Sequence, residues 1–544
     1  MIDIFAGNEF SGMLPLAALY AETHYRFRFF PFSLYYRKQP EILFDTPLRL
    51  EPDEALPVFL MIKDAHLFPI SAQKVTIIVR RGSHKITRQF MLNERVDRSF
   101  WFRIFHLDLK EFPAGELTVD ASLEVISIAN GRGSIVHNDN HPGLSHAPFK
   151  VHKAADPLPL LPGWSAGELH CHTSFGTDQV EFGAPLSVYQ SAAKAMGHRW
   201  VALTDHAYNL DDFPEDYLTN DPEQVKWAAF LAEVEQANRD DPSVILLPGE
   251  ELTCRSSTGR NIHLLLIGQR NLLIGTGDDA QDWFNTRSEL NVSEALAKID
   301  PHTAAIAAHP LTPISFLEKL LINREVWTTS DLNQDGLNGW QIWNGQLDEG
   351  FQRGMNLWQA ALDQGKKIYI YAGNDAHGNF NRYRQIRLPM LSMREDSCHL
   401  FGRVTTRLKT GQSCSEAVII KALQSGNSVV SNGPALDIRV NSKSSAAGIG
   451  NQINIDQSSE VVMEYITTPE FGKVKEIKLF CGGKFEEQKL TKFIPENEAN
   501  IHPWTGKLAH HFVGKDYLRA ELITEDKTGR LCHCFTNPIW LKSL

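Results

Sequence analysis

Between Trp200 and Gly373 the chain passes through a series of short apolar runs, and at least five of them end in, or contain, a histidine or a carboxylate. WVALT leads into Asp205-His206. VILLP leads into Gly249-Glu250-Glu251. IHLLLIG carries His263, AAIAA leads to His309, and IYIYAGN leads to Asp375-Ala376-His377. A carboxylate next to a buried strand is costly unless it is paired, hydrogen-bonded or bound to a cation. In open sheets and barrels of α/β type, the carboxyl ends of strands are where such groups gather. The pattern therefore asks for a sheet whose strand ends share one rim.

Helical segments fall between the runs, at about residues 185–196, 222–239, 294–299 and 351–364, the first opened by Pro185 and closed by Gly197. Ser413-x-x-Glu416 reads as a capping box ahead of AVIIKAL. Strands alternating with helices predict an α/β domain with mostly parallel strands, and enough pairs for a barrel. Upstream the texture is β. Leu117, Val119, Ala121, Leu123 and Val125 alternate with polar residues, and KVTIIVRRG and LPVFLMIKD are further strands. The expected organisation is a β-rich, sandwich-like accessory region over 1–150, a Pro-rich linker over 151–164, an α/β unit over 165–435 and a second β-rich region over 436–544.

With 544 residues, a net charge of −11, 42% hydrophobic and 22% charged residues, the chain reads as globular. The acidic balance argues against general binding to nucleic acid or to anionic membranes, and leaves room for a local anion pocket. MIDIFAGNEF lacks the basic start and apolar run of a secretory signal, and no apolar stretch is long enough to span a bilayer. Seven thinly spread cysteines fit a reducing compartment. The expectation is a cytoplasmic protein acting on a small, anionic molecule, with its oligomeric state open.

The first histidine motif is Gly167-Glu168-Leu169-His170-Cys171-His172. Residues i and i+2 of a strand share a face, so His170 and His172 can meet at one ion, with Cys171 turned away. Asp178 follows in a Gly-bearing turn and could add an oxygen. Asp205 is either an orienting residue or a turn cap. Glu250-Glu251 alone would pass for a solvated turn, and His263 alone for a core histidine. Together the donors exceed what one ion uses, and nitrogen with oxygen suits zinc, manganese or iron. Other features are bland. Arg260 reads first as a surface arginine, Cys532-His533-Cys534 as part of a terminal strand, and DLNQDG as a surface loop, because it lacks the glutamate that would close a calcium loop.

In order, GELHCHT, LTDH, LPGEEL, IHLLLIG, AAHP and GNDAH resemble the polymerase-and-histidinol-phosphatase superfamily, from about Gly167 to Gly433. Within it they are most similar to the carbaryl hydrolase-like branch, which VVSNGPAL and FTNPIW also resemble. The resemblance implies a distorted seven-stranded β/α barrel and two or three divalent ions. His170, His172, Glu251 and Asp375 would hold the first ion. Glu251 would bridge to a second, held by His263 and His309. Asp178, His206 and His377 would hold a third. It also selects Glu251 over Glu250, and implies Glu251, Asp375 and His377 as catalytic. The implied activity is hydrolysis of a phosphate ester through a metal-activated water. Alternatives are a carbamate, amide or carboxylic ester hydrolase, or a metal-containing binding protein without turnover.

Overall fold

The structure, a computed structural model, describes residues 34–140, 146–176, 183–214, 216–277, 286–382, 385–388, 391–394, 399–443, 445–456, 459–483, 486–493, 504–509 and 516–543. The amino-terminal part of the described chain, to Lys153, forms two sheets face to face. One is antiparallel, from Glu41–Asp45, Leu56–Lys63 and Phe100–Leu107. The other is built around Ile70–Arg81, His84–Val96 and Gly115–Ser127. The alternation read between Leu117 and Val125 sends those residues inward. There they join Val75, Ile77 and Val79 against Val58, Leu60 and Ile62 of the facing sheet.

The donor-bearing strands form one long sheet, labelled here β1 (Trp164–Cys171), β2 (Trp200–Leu203), β3 (Ile245–Arg255), β4 (Asn261–Ile267), β5 (Ala304–Ala307), β6 (Gly339–Asn344), β7 (Tyr369–Gly373), β8 (Thr405–Lys409) and β9 (Ser428–Ser431). Their order is β7-β6-β5-β4-β3-β2-β1-β8-β9, and the sheet continues through Leu531–Thr536, Tyr517–Glu525, Lys473–Gly483 and Glu486–Phe493. Each of its faces carries its own core. On β4, Ile262, Leu264 and Leu266 enter one apolar cluster while Leu265 and Ile267 enter the other. Burial on both faces explains why β4 reads as an unbroken apolar run. Each such leucine contributes about 1.5–3 kcal/mol on full burial. The second cluster, with Leu169, Trp200, Leu247, Leu265, Ile306, Tyr371 and Leu408, fills one end of the sheet's curl and is closed by Ile419, Ile420 and Leu423 of the helix Glu416–Ser425.

This arrangement corrects the expected fold. Among the described residues strands far outnumber helices, and the curled sheet is not a seven-stranded β/α barrel. Two features overturn the barrel. β3 and β4 form an antiparallel hairpin over Ser256–Arg260, where a βα unit would need a helical crossover. β4–β5, β1–β8 and β8–β9 are antiparallel too, whereas β1–β2, β2–β3, β5–β6 and β6–β7 are parallel. The sheet also runs on into carboxy-terminal strands through β9 and Leu531–Thr536, while a parallel bridge between Cys171 and Ala376 joins β1 to the segment after β7.

Local readings shift as well. β3 does not stop at Pro248 but runs through Glu250 and Glu251 to Arg255. The helix near residue 294 is only Val292–Leu296, capped by a reciprocal Asn291–Glu294 box. The helix after Ser413 starts at Glu416 with Ser415 as N-cap and no side-chain cap bond, so the proposed capping box does not form. The DLNQDG loop exposes Asn333, Asp335 and Gly336, but its first residue, Asp331, is buried. Asp331 accepts from Ser257 N at 2.9 Å and Thr328 Oγ1 at 2.6 Å, tying two loops together. Among the described residues, no helix is long and apolar enough to cross a membrane.

Candidate metal centre

The donors collect at the end of the curl opposite the helix Glu416–Ser425. Strand periodicity decides the Glu250–Glu251 question directly. Glu251 shares a face with Leu247 of the inner cluster, while Glu250 shares one with Leu246, Leu252 and Cys254 of the outer one. Glu250 is fully buried there, with Leu273 N donating to its two oxygens at 3.1 and 3.3 Å. It is a buried anchor rather than a solvated turn. On β4, His263 alternates onto the inner face and comes within 2.6 Å of Glu251.

Five imidazoles surround the Glu251 carboxylate. His263 Nδ1 and His309 Nε2 approach Oε1 at 2.6 and 3.1 Å. His170 Nε2, His206 Nδ1 and His172 Nε2 approach Oε2 at 3.1, 3.2 and 3.4 Å. Asp375 Oδ1 lies 3.1 Å from His172 Nε2 and 3.3 Å from His170 Nε2, and its Oδ2 lies 3.9 Å from His309 Nε2. The ring of His377 stacks on that of His172, with centroids 4.1 Å apart. Among the described residues, three donor groups result: His170, His172, Glu251 and Asp375; His206, Glu251 and His263; and His172, His206 and His377. These clusters could hold metal. The fit is geometric, since two donors bound to one ion at about 2.0–2.1 Å with tetrahedral angles lie about 3.4 Å apart. The spacings within the first group, 3.1 to 3.4 Å, match that value.

Electrostatics without an ion agree. Burial opposes charge on Glu251, yet the surrounding histidines, His263 first, hold its carboxyl well below the usual range. Asp375 is likewise held well below it against its burial, chiefly by His170 and His172. Burial works to lower His170 as well, but Glu251 and Asp375 outweigh it and raise the imidazole to about 9. His172 and His309 are lowered, mainly by burial. The metal-free cluster thus favours a proton on His170, where a cation would sit.

Several residues that hold the donors carry no local signal in the sequence. Gln341 Nε2 donates to Asn344 Oδ1 at 3.1 Å, so its Oε1 is left to accept from His170 Nδ1 at 2.9 Å. That bond fixes the tautomer that ligates through Nε2. Glu168, fully buried, accepts from Asn374 N at 2.9 Å, from His170 N at 3.2 Å, from Gly402 N at 3.2 Å and from Asn374 Nδ2, locking β1 to the segment before Asp375. Burial pushes its carboxyl up. Gly373 is required by close approach, because a Cβ there would sit 2.9 Å from His170 Cβ. Asp375 and His309 both adopt left-handed backbone, with φ of 53° and 27°. Such strain in non-glycine residues clusters at functional sites.

Of the other candidates, Asp205 orients its neighbours, accepting from Thr173 N at 2.6 Å and Thr173 Oγ1 at 2.8 Å. Cys171 faces away, its thiol toward Ala202 O at 3.3 Å. Asp178 lies outside the described residues. Arg260 is exposed, whereas Arg324 brings Nη2 to 3.4 Å from His263 Nδ1, a cation beside the cluster that sequence reading missed. Cys532 and Cys534 are buried and belong to none of the donor groups.

Comparison with known proteins adds nothing to this geometry. No family profile and no curated protein matches the chain. Among solved structures, a calcium-binding mutant of Bacteroides uniformis beta-glucuronidase 2 aligns at 12% identity and a TM-score of 0.17, over 92% of this chain and 60% of that one. A Paenibacillus cycloisomaltooligosaccharide glucanotransferase aligns at 9% identity and a TM-score of 0.16, over 92% of this chain and 71% of that one. The chain therefore spans less than two thirds of the glucuronidase's length. Scores of this size do not indicate a common fold.

Proposed function

We propose that the protein is a metal-dependent hydrolase of the polymerase-and-histidinol-phosphatase type, acting on a phosphate ester of a small molecule. Two or three zinc, manganese or iron ions would be held by His170, His172, His206, Glu251, His263, His309, Asp375 and His377. The observation that carries this reading is the Glu251 carboxylate, fully buried and bracketed by histidine nitrogens on both oxygens. A carboxylate so placed can serve two cations at once, which a neutral imidazole cannot.

Divalent ions bound there would activate water at neutral pH and stabilise charge on the group being transferred. The chain supplies the rest. Gln341 holds His170 in its ligating tautomer. His377 turns Nδ1 toward Asp375 O at 3.0 Å, which favours ligation through Nε2. Asp375 is the more open carboxylate, its side chain 21% exposed against 1% for Glu251. The Arg324 guanidinium lies on the His263 side of the cluster, where it can bind an anionic substrate oxygen.

The test is a panel of phosphomonoesters, phosphodiesters, carboxylic esters and carbamates, offered to protein reconstituted with each metal. Metal-dependent turnover of a phosphate ester is the expected result. Turnover confined to carbamates or carboxylic esters would replace the substrate class. Stoichiometric metal binding without turnover of any substrate would favour a binding protein.

A further inference from the structure

Residues 378–382 follow directly on Asp375 and His377, and the amino-terminal sandwich, rather than the donor-bearing sheet alone, holds them. Asp45 closes the sandwich strand Glu41–Asp45 and is fully buried. Its Oδ2 accepts from Phe380 N at 2.9 Å, and its Oδ1 accepts from Asn381 N at 3.0 Å and Thr46 N at 2.8 Å. Two further contacts come from the same half of the chain. Asn381 Nδ2 donates to Lys150 O at 2.6 Å, and Arg382 pairs with Asp139 at 2.7 Å. The Phe380 ring packs on Phe59 of the sandwich, with centroids 5.0 Å apart.

The other end of the segment is tied to the donors. Asn379 Oδ1 accepts from His377 N at 2.9 Å. Gly378 N donates to Tyr189 Oη at 2.9 Å, and that hydroxyl donates to His172 O at 2.6 Å. A continuous path of short bonds and chain thus runs from Asp45 to His377 and His172. The charge on Asp45 is spent on backbone N–H groups, the pattern of a residue that fixes a loop rather than of one that reacts.

We infer that Asp45 is a positioning residue of the metal centre, and that the sandwich sets the placement of His377 by gripping the following segment. This rests on reading the donor cluster as a metal centre, and goes beyond it by assigning the sandwich a part in building that centre. Asp45→Asn replaces an acceptor oxygen with an NH2 group, setting donor against donor at Phe380 N or Asn381 N. The segment must then move, and His377 with it. Partners one step behind a ligand typically govern metal affinity by about 10–100-fold.

The experiment loads the full-length protein with cobalt(II), measures stepwise affinities by calorimetry, and reads each ion's occupancy from anomalous diffraction. Asp45→Asn and Asp45→Ala are compared with Val79→Ala, which opens the sandwich core but touches no residue of the segment. The expected result is a loss of about 10–100-fold in affinity for the ion beside His172, His206 and His377 in both Asp45 variants. The ion beside Glu251 and His263 keeps its affinity, and Val79→Ala changes neither. Unchanged affinities in the Asp45 variants, or an equal loss in Val79→Ala, would overturn the inference. Wild-type protein that takes up no cobalt would instead remove the metal reading on which it stands.

Discussion

Substituting Glu251 by Gln tests the centre at its most connected point. The exchange keeps shape and volume but puts an amide nitrogen where one of two oxygens now meets histidine nitrogens at 2.6 to 3.4 Å. In the metal-free protein, His170 is protonated at neutral pH, its imidazole raised to about 9. It would lose one of its two carboxylate neighbours. Removing one partner of a buried ion pair costs about 3–5 kcal/mol. Asp375 Oδ1 remains 3.3 Å from His170, so the lower end, about 3 kcal/mol, is expected. In the metal-loaded protein, loss of the shared carboxylate should lower metal affinity and cut turnover at least about a hundredfold. Glu250→Gln is the built-in control. Burial pushes the Glu250 carboxyl well up, and glutamine keeps an oxygen that can accept from Leu273 N, so this exchange should be tolerated. Urea unfolding of metal-free protein, metal content after reconstitution and turnover would be read for both variants. Wild-type stability and metal content in Glu251→Gln, with collapse of both in Glu250→Gln, would refute the reasoning.

Gln341→Leu removes the acceptor for His170 Nδ1 at nearly constant volume, and metal affinity in chelator competition should fall about 10–100-fold; an unchanged affinity would show that the tautomer is set elsewhere. Metal uptake at pH 8 should release protons, because His170 carries one there and must lose it to ligate; calorimetry in two buffers of different ionisation enthalpy measures this, and a net proton uptake would contradict it. His198 is held at about 3 by burial, with Arg407 and Arg49 adding to the shift, while an unfolded histidine titrates near 6.5. Between those values the unfolded chain binds a proton that the folded chain refuses, so stability is complete above about pH 6.5 and falls below it, by about 2 kcal/mol at pH 5. Urea midpoints at pH 7 and pH 5 should show this drop in wild type and a smaller one in His198→Gln, and equal drops would assign the pH dependence to other groups.

What the sequence offered by itself is a list of candidate donors, because strand periodicity is a local property. An H-x-H pair on one strand and a histidine on the Leu265 and Ile267 face of β4 are legible from spacing two and from apolar runs, whereas the choice of Glu251 over Glu250 came from the family resemblance. The individual strands from Trp200 to Gly373 were legible on the same grounds. Their assembly was not. Apolar runs with helices between them suit a barrel as well as a mixed sheet. The choice turns on whether β3 and β4 pair as a hairpin across Ser256–Arg260, which follows once β3 runs on to Arg255 and leaves too few residues for a crossover. Glu250 shows the same limit at one residue, since two adjacent glutamates read as a solvated turn until both faces of β3 are known to be covered. The supporting residues lie further still from local reading. Gln341 is 171 positions from His170, Asn374 is 206 from Glu168, and Phe380 is 335 from Asp45. Each is an ordinary polar or apolar residue in its own segment. It acquires a role only when tertiary packing removes water and leaves one partner within hydrogen-bond reach.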